Sequence, residues 1–195
     1  MEIAQIEEDL RMRQGAKRFR HTMGVMYTSA ALAMRYNGDM EKALLAGLLH
    51  DCAKQEKPEK LLNICRKAGL PVSEVEERNP FLLHGKAGTV YAEKRYGIED
   101  KDILSAIAWH TTGKPDMTLL EKIVFTADYI EPSRDHAPNL SELRNLAFCD
   151  LDEAIVQILQ QTLEYLQTSG GEIDPATERT LAFYSISSGW QDGIS

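Results

Sequence analysis

The sequence predicts an all-α protein, a single compact helical bundle of one domain that takes in residues 1–195. Apolar residues recur at spacings of three and four from one end of the chain to the other, and the alternating pattern of β-strands is nearly absent. A 195-residue chain with 43% hydrophobic and 27% charged residues is long enough for one real core with room for an internal site. We see no repeat period and no linker that would divide it.

In the first half of the chain, turn and capping residues separate the helical segments. Asn37-Gly38-Asp39 ends one helix and caps the next, which is apolar on most of its faces. Pro58 lies in the first turn of another helix, and Gly69 ends it. The predicted segments are helices at residues 2–12, 16–35, 40–49 and 58–68, followed by a polar loop with a short helix at 71–79.

The second half follows the same rules. Gly97 ends a helix, Thr111-Thr112-Gly113 closes the next, and Glu131-Pro132 ends a strongly apolar one. Near the end of the chain, Asp174-Pro175 provides an N-cap and a first-turn proline. The predicted helices cover residues 82–96, 100–109, 118–130, 141–147, 150–166 and 175 to about 185.

Charge and composition limit the partners. The net charge of −8 and the lack of a basic stripe argue against a nucleic acid polymer. The one dense basic cluster, Lys17-Arg18-Arg20, suits a small phosphorylated ligand, although a solvated helix face explains Lys17 and Arg20 equally well. No apolar run approaches the roughly 20 residues of a membrane span. Three cysteines without a CxxC pattern and a charged N-terminal stretch lead us to expect a cytoplasmic protein; a homodimer stays open.

The candidate chemistry centres on His50-Asp51, which follows the apolar helix 40–49 and precedes Lys54. Burying such groups without partners costs several kcal/mol, so something must compensate them. A divalent metal does so, because neutral imidazole and carboxylate together suit zinc, iron or manganese. A His-Asp dipeptide alone is weak support for a metal site, so the prediction depends on the other histidines and aspartates.

Three more histidines and one aspartate stand in similar settings. His21 shares a helix face with Arg18 and with Gly24, which leaves room for something to approach. His84 begins one predicted helix, and His110 ends another. Asp128 lies in an apolar stretch and needs a metal or a cation; an ion pair with Arg134 would also satisfy it. Each histidine alone is more often a core residue bonded to a carbonyl group than a metal ligand.

Taken in order, these residues form the pattern H…HD…H…H…D, spread over different helices of one bundle. This pattern resembles the HD-domain phosphohydrolase superfamily. The segments LLHDCAK (48–54), WHTTG (109–113) and ADYIEPSR (127–134) look like its YqeK-type branch, the bacterial symmetrical diadenosine tetraphosphate hydrolases. The resemblance covers roughly residues 15–185, and residues 170–177 match more loosely.

The resemblance implies a fold of the HD-domain type and the hydrolysis of diadenosine tetraphosphate at its centre, which gives two ADP. It also implies a metal, most often iron, as one or two ions; manganese and zinc stay open. The ligands carried over are His21, His50, Asp51 and Asp128. His84 and His110 would serve a second metal or the phosphates of the substrate.

Phosphoanhydride hydrolysis needs a nucleophilic water, neutralised charge and an oriented leaving group. A bound divalent ion lowers the pKa of its water to about 7, and Asp51 is the best candidate to hold or deprotonate that water. His84 or His110 is the candidate general acid. The groups expected to face phosphate are Arg18, Lys54, Lys86, Arg134, the hydroxyls of Thr111 and Thr112, and the amide of Gly113.

Three other functions stay open from the sequence. A 5′-nucleotidase or dNTP phosphohydrolase of the same superfamily would use the same ligands with a different nucleotide pocket. A nucleotide sensor would bind ADP-like ligands without turnover. A purely structural helical domain would require the core alone to satisfy all the histidines and Asp128.

Overall fold

The structure, a computed structural model, describes residues 2–135 and 137–187. The described part of the chain contains eleven α-helices, one short 3-10 turn and no β-strand, so the predicted all-α class is confirmed. None of these helices is long and apolar enough to cross a membrane. The helices are α1 (Ile3–Arg13), α2 (Ala16–Arg35), α3 (Met40–Leu49), α4 (Pro58–Lys67), α5 (Glu74–Arg78), α6 (His84–Tyr96), α7 (Lys101–Trp109), α8 (Leu119–Ile130), α9 (Leu140–Ala147), α10 (Leu151–Ser169) and α11 (Pro175–Ser187); the 3-10 turn is Pro80–Leu83.

The centre of the bundle is formed by α2, α3, α7 and α8. Helix α2 packs along α3 and α8, and α7 packs against α3, α6 and α8. On one side of these helices, an apolar cluster joins α2 and α8 to α9, α10 and α11. On the other side, a second cluster joins α3 to α1, α6 and α7. A smaller third cluster, which includes Leu61, Leu83 and Ala87, holds α4 and the 3-10 turn against α6.

Glycines allow the central helices to approach closely. A Cβ atom added at Gly47 would lie 2.9 Å from the Cα of Met26 and 3.1 Å from the carbonyl oxygen of Val25. A Cβ atom at Gly85 would lie 2.8 Å from the carbonyl oxygen of Ala108. Backbone atoms occupy both places, so α3 meets α2, and α6 meets α7, at distances that no larger residue permits.

Most predicted boundaries agree with the helices to within one or two residues. The prediction that α10 ends at Leu166 is wrong by three residues, because the left-handed Gly170 (φ 69°) ends that helix after Ser169. The segment predicted to open α6 is a 3-10 turn that starts at Pro80, so that His84 is the first α-helical residue. His136, to which the sequence assigns no role, lies outside the described residues.

The close approach of α2 and α3 yields a test of stability. Gly47→Ala should lower the free energy of unfolding by about 1–3 kcal/mol, because the new methyl group meets backbone atoms that cannot move aside. Gly88→Ala is the comparison variant: its Cβ would lie 3.1 Å from Cγ2 of Ile107, a side-chain atom and not the backbone, so we expect a smaller loss of stability. Both variants gain about 1 kcal/mol of helix propensity, so the difference between their stabilities isolates the contact with the backbone.

Urea denaturation followed by circular dichroism measures both variants. Equal stability of Gly47→Ala and the native protein would show that these two helices are less tightly packed than the structure has them.

Candidate metal centre

The structure brings the six predicted ligands together at the middle of the bundle. Each comes from a helix or from the residue just after one, so packing of the helices fixes their positions. The four histidines and Asp51 are buried, and the Asp128 side chain is 21% exposed. The six are His21 in α2, His50 and Asp51 after α3, His84 at the start of α6, His110 after α7, and Asp128 in the last turns of α8.

One half of the cluster, the first group, contains His21, His50, Asp128 and one oxygen of Asp51. The Nε2 atoms of His21 and His50 are 3.2 Å apart. Oδ1 of Asp128 lies 3.0 Å from Nε2 of His21 and 3.8 Å from Nε2 of His50. Oδ2 of Asp51 lies 3.9 Å and 3.6 Å from the same two nitrogens. His21, His50 and Asp51 thus form a group that can hold an ion, and Asp128 lies beside its two histidines.

The other half, the second group, contains His84, His110 and the other oxygen of Asp51. The two Nε2 atoms are 3.1 Å apart. Oδ1 of Asp51 lies 3.4 Å from that of His84 and 3.5 Å from that of His110. The hydroxyl of Thr111 is 3.1 Å from both nitrogens. Asp51 thus belongs to both groups, one oxygen to each.

The Nδ1 atoms fix the tautomers of the histidines. Nδ1 of His50, His84 and His110 donates to the carbonyl oxygen three residues earlier in the chain, at 2.7–2.8 Å. Because a carbonyl oxygen can only accept, Nδ1 carries the hydrogen and the neutral ring presents a lone pair at Nε2. In the second group, two such lone pairs face each other and the carboxylate. A cation placed between them would relieve that repulsion.

The donor set fits a divalent metal. Two ligands bound about 2.1 Å from one ion lie about 3.0–3.4 Å apart at tetrahedral or octahedral angles, and farther apart when more nearly opposite. The separations within the two groups are consistent with this. Oδ1 of Asp51, which is buried, has no hydrogen-bond partner among the described residues, so a ligand-ready oxygen faces the second group. Two clusters that share Asp51 can each hold an ion.

The electrostatics agree with this assignment. Burial raises the pKa of Asp51, but the neighbouring imidazoles, led by His50, outweigh burial and hold that pKa well below its usual value. Burial also raises the pKa of Asp128, but the hydrogen bond with His21 outweighs burial and holds that pKa below its usual value. Burial, reinforced by the Lys54 ammonium, lowers the pKa of His84 to about 3. Both carboxyl groups are therefore ionised and His84 is neutral at neutral pH, which is the state that binds metal.

Three predicted phosphate-binding cations surround the cluster. A guanidinium nitrogen of Arg18 donates to Oδ2 of Asp51 at 2.6 Å. Arg134 donates to Oδ1 of Asp128 at 3.0 Å, so the ion pair considered from the sequence exists together with the histidine contact. Nζ of Lys54 lies 3.1 Å from Nε2 of His84.

Other groups expected at phosphate are engaged elsewhere. Nζ of Lys86 binds the Glu76 carboxylate at 2.7 Å and the carbonyl oxygen of Pro71, so it anchors α5 and does not face the cluster. The Thr112 hydroxyl donates to the carbonyl oxygen of Gly113. The amide of Gly113 is already bonded to the carbonyl oxygen of Trp109, because these residues form a tight turn. These three groups therefore already have partners within the protein, and nothing in their contacts supports a role at phosphate.

Sequence reasoning missed Glu131, which it treats only as a helix end. The side chain is 1% exposed, and Oε1 lies 3.0 Å from Nδ1 of His21. The amide and hydroxyl of Ser133 donate to the same carboxylate at 2.6 and 2.7 Å. A Cβ atom at Gly24 would lie 2.2 Å from Oε2, so Gly24 makes room for Glu131 rather than for a ligand. Glu131 orients His21 as the backbone carbonyls orient the other three histidines.

A helical bundle with a buried, shared histidine and aspartate cluster defines the class: a metal centre of the HD type. The HD domain family matches residues 18–133. Two proteins named symmetrical bis(5'-nucleosyl)-tetraphosphatase are similar to this chain. That of Bacillus subtilis is 39% identical over 160 residues, 82% of this chain and 85% of the relative. That of Halalkalibacterium halodurans is 41% identical over 163 residues, 84% and 86% of the two chains.

A solved structure adds to this. The crystal structure of a "predicted HD superfamily hydrolase involved in NAD metabolism" from Clostridium acetobutylicum superposes on the chain with a TM-score of 0.92 at 42% identity, and covers 96% of this chain and 98% of that one. The chain belongs to the HD domain family and, within it, to the family of the symmetrical bis(5'-nucleosyl)-tetraphosphatases. The resemblance stated from the sequence is confirmed.

The position of Glu131 yields a test of metal affinity. Glu131→Ala removes the acceptor that orients His21 and should weaken metal binding by about 10- to 100-fold. Glu131→Gln keeps an oxygen acceptor for Nδ1–H and should lose less. Competition with a chelator, followed by metal analysis, measures both variants.

Glu121→Gln is the control, because Glu121 is equally buried (1%) but lies in the first turn of α8, at the opposite end of that helix. The control should keep native metal affinity. The same loss in all three variants would mean that a buried charge, and not the contact with His21, is what matters.

Proposed function

We propose that this protein hydrolyses diadenosine tetraphosphate at its centre to give two ADP, with divalent metal bound at the histidine and aspartate cluster. The observation that carries the proposal is the shared Asp51, whose two oxygens face two separate groups of imidazoles. Two-metal centres are a common device for phosphate ester and anhydride hydrolysis. Relatives at 39% and 41% identity that carry the tetraphosphatase name support the choice of substrate.

The roles of the ligands follow from the two groups. We assign His21, His50, Asp51 and Asp128 to the first metal position. His84 and His110 complete the second position with Asp51. When bound, the metal would lower the pKa of water towards neutrality and neutralise phosphate charge. The catalytic contribution of Asp51 is then to hold both positions together at a fixed separation.

Arg18, Lys54 and Arg134 are assigned to the substrate. Each lies at the edge of the cluster with donors to spare, since a guanidinium carries five N–H groups and an ammonium three. Arginine binds phosphate through two parallel hydrogen bonds and lysine as a point charge. The hydroxyl of Thr111, beside the second group, is placed to donate to a phosphate oxygen there.

The leaving group makes a strong general acid unnecessary. A terminal phosphate has a second pKa of about 6, so ADP leaves as a stable anion at neutral pH. Neutralisation by Arg18 and Lys54 is then sufficient. His84, whose pKa of about 3 leaves it unprotonated, is a poor proton donor, and a ligand role suits it and His110 better than the general acid role predicted from the sequence.

The proposal extends to the metal, the location, the domain organisation and the oligomeric state. We propose iron as the metal, a cytoplasmic location, and one HD-type domain for the whole chain, residues 1–195. The three cysteines are free thiols, which supports a reducing compartment. A homodimer is supported by Tyr27 and Met34, which are 60% and 63% exposed and two turns apart on one face of α2.

Product analysis tests the proposed function. The protein, purified without added metal or chelator, should contain divalent metal and should convert diadenosine tetraphosphate into ADP alone. AMP with ATP as products would contradict cleavage at the centre. Faster turnover of dAMP or dGTP would indicate a nucleotidase or dNTP phosphohydrolase instead. Tight ADP binding without any product in ferrous iron would indicate a sensor.

Asp51→Asn tests the shared ligand. An amide keeps the size of the side chain but not its charge, so both metal positions lose their common donor. We expect turnover to be abolished and bound metal to fall, with the helical circular dichroism unchanged. Metal analysis and the ADP assay on one preparation measure both effects, and near-native turnover would remove Asp51 from the mechanism.

A further inference from the structure

A cleft of about 850 Å³ opens beside the first group of ligands. It lies between the N-terminal turns of α2 and the segment that follows α8, and His21 forms part of its wall. Its volume falls within the range of about 300–1,000 Å³ that is usual for small-molecule sites. The remaining wall residues that matter here are Lys17, Arg18, Arg20, Ser133 and Arg134.

The cleft is rich in positive charge. Four cations line it, against the carboxylates of Glu131 and Asp135. Glu131 is already bonded to His21 and Ser133. A separate groove between α4 and α6 is also lined by four cations, but the wall of this cleft includes the candidate metal ligand His21.

The four cations fall into two pairs. Arg18 and Arg134 reach inwards, to Asp51 and Asp128 respectively. Lys17 and Arg20 are exposed, and in the described part of the chain neither forms an ion pair. Lys17 and Arg20 lie four residues and one residue before His21 in the same helix, so they are within one turn of a metal ligand. The cleft thus combines two arginines that reach the cluster with two cations that form no ion pair among the described residues.

We propose that this cleft binds one ADP half of the substrate, with Lys17 and Arg20 contacting the phosphates that lie outside the metal centre. The inference rests on the proposed function: a bond cleaved at the centre of a tetraphosphate has two phosphates on either side, so one ADP must extend away from the metals. Arg18 and Arg134 are placed to contact the phosphate nearest the cluster, and Lys17 and Arg20 the next one. The cleft thereby selects nucleoside polyphosphates over mononucleotides, which carry too few phosphates to reach it.

The double variant Lys17→Ala with Arg20→Ala tests this inference. Each lost contact is a charge-assisted hydrogen bond, so we expect KM for diadenosine tetraphosphate to rise roughly 10- to 100-fold with little change in kcat. The dissociation constant of ADP, measured by calorimetry, should rise in the same direction. Metal content should stay native, because neither residue is a ligand. Lys17→Arg with Arg20→Lys keeps both charges and should restore most of the affinity.

The control for lost positive charge is the double variant Lys67→Ala with Lys94→Ala. These two lysines line a separate groove of about 550 Å³ between α4 and α6 and also lack an ion pair among the described residues. The control removes the same charge from the protein, so an equal effect would mean a general electrostatic contribution and would overturn the proposal. Unchanged KM and ADP affinity in the test variant, or loss of its metal, would also overturn it.

The experiments distinguish a failure of the proposed function from a failure of the cleft assignment. If the native protein does not form ADP from diadenosine tetraphosphate, the proposed function falls, and calorimetry with ADP alone decides whether the cleft binds a nucleoside diphosphate. If ADP is formed but the double variant behaves like the native protein, the cleft assignment falls and the proposed function stands.

Discussion

The structure depends on one electrostatic constraint, the burial of Asp51 between two pairs of imidazoles. Asp51 follows the apolar helix α3, and its side chain is nearly inaccessible to solvent. One oxygen of its carboxylate has no hydrogen-bond partner in the described part of the chain. A buried charge is tolerated only when other charges or a metal compensate it. Arg18 supplies part of that compensation at Oδ2, and the second group of ligands leaves Oδ1 to an ion.

This constraint explains why rigid backbone features surround the ligands. Three histidines are held through Nδ1 by a carbonyl oxygen three residues earlier, near a helix end, and Glu131 holds the fourth. Gly47 and Gly85 bring α2, α3, α6 and α7 close enough for ligands on different helices to meet. A centre whose donor atoms lie about 3–4 Å apart needs such support, because small helix displacements would separate them.

The sequence predicts the helices and the ligands for the same reason, because short stretches of sequence indicate both. Spacings of three and four and capping residues are visible in short windows, and HD, WHTTG and ADYIEPSR each mark a ligand by its neighbours. Glu131 could not be found in this way, because its role depends on His21, 110 residues earlier. The contact between Lys86 and Glu76 could not be predicted either, because Glu76 lies in a polar segment without a periodic pattern. Glu76, Glu121 and Glu131 are also buried, and their partners are supplied by the fold.

In the proposed function, the two arginines at the edge of the cluster would connect the metal ligands to the substrate. A carboxylate oxygen has two lone pairs, so Oδ2 of Asp51 can accept from Arg18 and still face the first group. The same is true of Oδ1 of Asp128, which accepts from Arg134. Each guanidinium keeps further N–H groups that no carboxylate of the cluster uses. In the proposed function, Arg18 and Arg134 would hold a ligand and a phosphate at once, so the contacts that stabilise the buried carboxylates would also position the cleaved bond.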